Sequence, residues 1–242
     1  MLKRLIFILC VAGAIHGAHA QSATEALEKP RKGRPNLPGT FLIEFGLNFP
    51  TSNDVGLSTG VWGSRTINLY YQHDVRIGQS NFSIHPGIGV GLERYKFKND
   101  HTLGYVAGPN GPFDTLRVVP AMEGIKKSQL VTNFADIIFE VRFSTNPNDP
   151  ARSFMASVGM KGGYLFDSFT KMKYREESET KKLKDKQDWN LTQFRYGPLV
   201  RFGVGNFSVF GYYSLSDIFQ KGKGPDGAEI NYLTVGISLA GF

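Results

Sequence analysis

Between Ser128 and Phe166 the chain repeats with a period of two on both sides of a turn-rich break. In the first arm Ala135, Ile137, Phe139, Val141 and Phe143 take every second position, with Asp136, Ile138, Glu140 and Arg142 between them. In the second arm Phe154, Ala156, Val158, Met160, Gly162, Tyr164 and Phe166 share one parity, while Ser153, Ser157, Lys161 and Asp167 take the other. Successive side chains of a strand point to opposite faces, so the pattern predicts two strands, each with one apolar and one polar face. Residues 144–151, STNPNDPA, are rich in Pro, Asn and Asp and predict the turn of a hairpin. The polar face carries charges of both signs in mid-strand and no run of surface Lys and Glu. That suits a barrel with a polar lumen and an apolar outside facing lipid, better than a soluble barrel with the apolar face inward.

The start of the chain agrees with export. Residues 1–20, MLKRLIFILCVAGAIHGAHA, place Lys3 and Arg4 before an apolar run and end on Ala18-His19-Ala20. This is the pattern of a signal peptide cleaved after Ala20. The run is too short for a membrane helix, which needs about 20 apolar residues. Cleavage removes Cys10, the one cysteine, so no disulfide or thiolate chemistry is expected. Residues 21–38, with Pro30, Pro35, Pro38 and the basic cluster Arg31, Lys32 and Arg34, predict a flexible periplasmic leader. With no other long apolar run, membrane residence requires a closed barrel over residues 39–242. The pI near 9.4 is not taken as a nucleic-acid signature in an exported chain.

Six further strands complete the count. Thr40–Phe49 sets Phe41, Ile43, Phe45, Leu47 and Phe49 against Glu44. Arg65–Ile77 sets Ile67, Leu69, Tyr71 and Val75 against Asn68, Gln72, Asp74 and Arg76. Phe82–Lys98 sets Phe82, Ile84, Ile88, Val90 and Leu92 against His85, Gly87, Gly89, Gly91 and Glu93. Asn190–Val204, Phe207–Phe219 and Glu229–Phe242 follow, the second with its parity blurred by Phe210, Tyr212 and Tyr213. Long and short connections alternate. The prediction is an eight-stranded antiparallel up-and-down transmembrane β-barrel with long extracellular loops and short periplasmic turns, in the outer membrane. Phe242 is an aromatic last residue, as such barrels commonly have. It lies off the parity of Leu233, Val235, Ile237 and Leu239, which a bulge at Gly241 would explain.

The order and texture of GTFLIEFGLNF, SNFSIHPGIGVGLERYKF, NFADIIFEVRF, SFMASVGMKGGYLF, YGPLVRFGVGNFSVFGYYSL and the terminal GISLAGF carry a family resemblance. Residues 39–242 resemble the small outer-membrane barrels of Bacteroidota grouped as the PorT-like family, with Ile138 where that family often has Pro. The resemblance implies fold and location first. Because the family's founding member takes part in type 9 secretion, it also implies an assembly role.

Strand parity puts Glu44, Asp74, Glu93, Asp136, Glu140 and Asp167 in the lumen with Arg76, Arg142, Lys161, Arg195 and Arg201. A charge network of Glu44, Glu93, Asp136, Glu140, Arg142, Lys161, Arg195 and Arg201 is expected to plug the bore, since eight strands leave room only for side chains. Gly87, Gly89 and Gly91 sit on the lumen side of a strand. They are expected to make room for bulky partners, because a phosphate cradle needs a turn opening a helix. Ser64 and Asp74 near His73 give no triad spacing, so no catalytic residue, metal ligand or cofactor is assigned. The loop Asn99–Lys127, with Tyr105, Phe113, Leu116, Val118 and Val119, is apolar enough either to fold over the mouth or to dock a partner. The densely charged Lys171–Asp188 predicts strands extending beyond the membrane or a solvated tip, with contact to anionic headgroups as the functional alternative. The expected function is a non-enzymatic binding or assembly component of the envelope, with outer-membrane lipid and another envelope or secretion protein as partners. The alternatives are a lipid-modifying enzyme, a structural surface barrel and a small-solute channel.

Overall fold

Eight long strands close on themselves in the computed structural model, which describes residues 39–51, 56–58, 63–108, 111–149, 152–176 and 179–241. The expected signal peptide, the leader with Arg31, Lys32 and Arg34, and Phe242 lie outside the described residues. In chain order the strands are β1 (Thr40–Pro50), β2 (Leu57–Ser58), β3 (Arg65–Gln72), β4 (Val75–Arg76), β5 (Phe82–Phe97), β6 (His101–Gly108), β7 (Gly111–Pro120), β8 (Ile125–Ser144), β9 (Phe154–Glu176), β10 (Glu179–Asp185), β11 (Phe194–Val204), β12 (Phe207–Tyr213) and β13 (Tyr232–Ala240). Antiparallel pairing runs β1, β3, β5, β8, β9, β11, β12, β13. Pairing of β13 with β1, from Leu42 opposite Ala240 to Pro50 opposite Tyr232, then closes the ring and leaves these staves no free edge.

The apolar parity faces out on every stave. Ile137 is 67% exposed, Ile88 65% and Val158 61%, and Phe45, Phe194, Phe202 and Ile237 share that belt. A contiguous apolar belt of this extent suits acyl chains, and in water it would drive association. Phe210 and Tyr212 point inward beside Ser208 and Ser214, while Val209 and Tyr213 point out. The blurred parity of the seventh strand therefore comes from aromatics inside the bore, not from a bulge.

Several boundaries differ from the expected ones. The second strand breaks into β3 and β4 because Pro86 sits opposite His73. The His73 N–H donates to the Pro86 carbonyl at 2.8 Å, and proline has no N–H to return. Beyond the break Arg76 leaves the lumen set. It is exposed, and its Nη1 donates to Asn148 Oδ1 in the next turn at 2.9 Å. The loop Asn99–Lys127 is largely a hairpin, β6 with β7. β9 runs on for 23 residues and pairs with β10, so the charged Lys171–Asp188 stretch is mostly strand above the belt. The sixth strand begins at Phe194, the seventh stops at Tyr213 and the eighth begins at Tyr232.

The residues between these shortened strands cap the mouth. Trp189, Leu191, Ile218, Phe219 and Ile230 are buried together with Leu103 of β6 and Leu116 of β7. Leu191 bridges Phe219, and the Ile218 N–H donates to the Ile230 carbonyl at 2.8 Å. Tyr105 stacks on Trp189 with ring centroids 5.9 Å apart and planes 4° from parallel. The apolar residues of the long loop therefore fold over the barrel mouth. The side chain of Phe113 lies outside the described residues.

Candidate functional site

Inside the bore, two charge clusters stack one above the other, both anchored on β11. Arg195 holds the cluster nearer the long loops. Its Nη2 donates to Asp136 Oδ2 at 2.7 Å and Oδ1 at 2.8 Å, and Nη1 donates to Glu93 Oε1 and, at 3.1 Å, to Tyr232 Oη. The remaining carboxylate lone pairs take tyrosine hydroxyls, Tyr70 to Asp136 at 2.8 Å and Tyr95 to Glu93 at 2.7 Å. The guanidinium also lies 3.9 Å from the centroid of the Phe134 ring. Gly91 makes room for this cluster, because a Cβ there would come within 2.5 Å of Asp136 Oδ2 and collide with Arg195 Nη2.

Arg201 holds the second cluster. Its Nη1 lies 2.8 Å from Glu44 Oε1, and Nη2 lies 3.0 Å from Glu140 Oε1. Glu140 also accepts from Ser157 at 2.6 Å and Gln72 at 2.8 Å, Glu44 accepts from Asn68 at 2.8 Å, and Arg201 donates to Ser238 at 2.7 Å. Arg142 joins through Gln72 Oε1 at 3.1 Å. Lys161 is buried with its Nζ 3.6 Å from the Tyr212 ring centroid, and no carboxylate lies within ion-pair distance of it among the described residues.

The eight residues read from parity as the network thus all point into the bore, in two sets plus Lys161. Asp74 and Asp167 do not join them. Asp74 sits at the turn end, and Asp167, at the loop end, pairs with exposed Lys186 at 2.7 Å. The inward tyrosines Tyr70, Tyr95 and Tyr232 were missed, although Tyr70 and Tyr95 lie on the polar parity of their strands. Four acids share the bore with four bases, and charge-assisted bonds from Arg195 and Arg201 offset the large cost of taking the paired groups from water. The void beside Arg195 is about 10 Å³, at the lower limit for a single water. Such an interior can lock the staves together through the bonds of Arg195 and Arg201.

At the turn end a third arrangement appears that spacing did not reveal. Ser83 Oγ lies 2.7 Å from His85 Nε2, and His85 Nδ1 lies 2.6 Å from Asp74 Oδ1. Thr40 donates to the other Asp74 oxygen at 3.0 Å. The composition is that of a hydrolase triad. However, Ser83 pairs with Arg76 on one side and Arg142 on the other, so the local backbone is committed to ladder bonds and offers no evident oxyanion pair. Ser64 and His73 flank opposite ends of β3, so Ser64, His73 and Asp74 do not form a triad. Among the described residues no cluster of three His, Cys, Asp or Glu side chains could hold a metal ion.

With this geometry in view, three comparisons bear on the chain. The family model for the outer membrane protein beta-barrel domain matches residues 19–220. No curated protein matches. Among solved structures, the attachment invasion locus protein Ail of Yersinia pestis is similar at 12% identity, with 84% of this chain and 97% of that one covered and a TM-score of 0.34. The same protein in complex with the heparin analogue sucrose octasulfate is similar at 11% identity, with coverage of 85% and 100% and a TM-score of 0.33. A Rh. blastica porin mutant is similar at 10% identity, with coverage of 84% and 98% and a TM-score of 0.19.

Proposed function

The chain belongs to the outer membrane protein beta-barrel domain family, and on that premise we propose that it is a non-enzymatic binding and assembly component of the cell envelope. The observation that carries this reading is the bore crossed by buried ion pairs. Arg195 and Arg201 tie β11 to carboxylates on β1, β5 and β8, so usable surface lies outside the bore. That surface is concentrated at the loop end, in the β6–β7 hairpin and the β9–β10 extension. The resemblance to PorT-like barrels supports a link to type 9 secretion, with another envelope protein as partner.

Two measurements test it. Purified protein in planar bilayers is expected to give no stable porin-sized conductance; reproducible channels would move Arg142, Lys161 and Arg201 to selectivity roles. A deletion strain is expected to lose a defined set of proteins from its secreted proteome, with a crosslink from the loop end to an envelope protein in the parent strain. Unchanged secretion and no crosslink would remove the assembly reading.

One observation favours a second reading, a lipid hydrolase. The Ser83, His85 and Asp74 chain has the right groups at the right distances. It requires that a Ser83→Ala strain accumulate an intact acyl ester visible by lipid mass spectrometry. A lipid profile identical to the parent strain discards it.

A further inference from the structure

Above the apolar belt, the outer face of the barrel is a ladder of cations. Arg65 on β3 pairs with Arg94 on β5, Lys127 on β8 with Lys173 on β9, and Lys171 and Lys173 with Lys184 and Lys182 on β10. Residues directly opposite in a strand pair share a face, and like charges so placed repel. Arg94 has the parity of outward Ile88 and Leu92, and Lys127 that of outward Ile137, so the ladder faces away from the lumen. Arg65, Arg94, Lys127, Lys171 and Lys173 line a cavity of about 180 Å³ with buried Gln129 at its floor. None of these five cations forms an ion pair among the described residues. Burial first, and then Arg65, Lys96, Lys173 and Arg94, hold the Lys127 ammonium below its ordinary value.

A second feature lies directly below on the same staves. Ala135 is small and sits between Val90 and Tyr164 on the outer surface. It forms part of an apolar depression of about 880 Å³ that Leu69, Ile88, Val90 and Ile137 also line. Val90 is four residues down β5 from Arg94, or roughly 13 Å at about 3.3 Å per residue. Cations above and an apolar groove below, open sideways to the membrane, match one amphiphile. A single phosphate carries only about −1.5 to −2 charge, so five cations suit a headgroup with more than one phosphate.

We propose that the outer face of β3, β5, β8 and β9 binds a glycolipid of the outer leaflet bearing more than one phosphate. Its phosphates sit among Arg65, Arg94, Lys127, Lys171 and Lys173, and its acyl chains lie in the depression at Ala135. The site rests on placement in the outer membrane and not on the assembly role, so its failure leaves the secretion test untouched.

The test uses the full chain in nanodiscs of phosphatidylcholine doped with a bis-phosphorylated diglucosamine glycolipid or its dephosphorylated form. Retained lipid is counted by native mass spectrometry. The phosphorylated glycolipid is expected to be retained and the dephosphorylated one lost. The triple variant Arg94→Gln, Lys127→Gln, Lys171→Gln is expected to weaken retention by about a hundredfold, at roughly a factor of five per basic residue. Ala135→Trp, which fills the depression without touching a charge, is expected to weaken it as well. Equal retention of both glycolipids, or a folded triple variant that binds like the parent, overturns the proposal. Inorganic phosphate competing fully while Ala135→Trp has no effect also overturns it, and assigns the cations to a free anion. Heat-modifiable mobility reports folding. Should the triple variant not fold, the two glycolipids on the parent protein and Ala135→Trp decide.

Discussion

Arg195→Leu is expected to cost about 3–5 kcal/mol of barrel stability, the range for removing one partner of a buried ion pair. The change strands Asp136 and Glu93, both buried, with only tyrosine hydroxyls to solvate two carboxylates. Urea titration of the refolded protein, followed by heat-modifiable mobility, measures the loss. Adding Asp136→Asn and Glu93→Gln removes the stranded charges, so the triple variant is expected to recover much of the stability. The control is Arg117→Leu. Arg117 pairs with Asp226 at 2.8 Å, but both are more than half exposed, and such a pair is worth at most about 1 kcal/mol. If Arg195→Leu costs no more than Arg117→Leu, the interior is wet and the reading of a bore crossed by buried ion pairs fails.

Ile137→Arg is expected to cost about 2–4 kcal/mol, because it places a charge on the outward face at mid-belt. The adjacent residue on β8, Ile138, is 1% exposed inside the bore, which fixes the direction in which Ile137 must point. The same substitution at Val204, at the end of β11 beside the Gly205 turn, is expected to cost about 0–1 kcal/mol, since a charge near the interface reaches headgroups and water. Folded fractions of the two variants in phospholipid vesicles measure this depth dependence. Equal costs at both positions would mean that the belt does not face hydrocarbon.

What could be read from the sequence follows from one property of strands. A period of two sorts side chains to two faces without reference to any partner. It therefore placed Ile137, Val158 and Phe202 outside and Glu44, Glu140 and Arg201 inside. The Gly87, Gly89, Gly91 series was likewise legible as space, and Gly91 accommodates Asp136 and Arg195. Parity does not say which charges meet, because Arg195 reaches Glu93 across 102 residues of chain, and that distance closes only when the curled sheet brings β11 to face β5 across the bore. Nor does it say where a ladder stops. Arg76 keeps the register but lies beyond Pro86 at the turn end, so it is exposed although its parity points in. The hydrogen-bonded approach of Ser83, His85 and Asp74 arises where β4 meets β5 across a turn. The external cation ladder has the same origin. Arg65, Arg94, Lys127 and Lys171 are scattered through the chain, and only sheet register brings them to one height on one face.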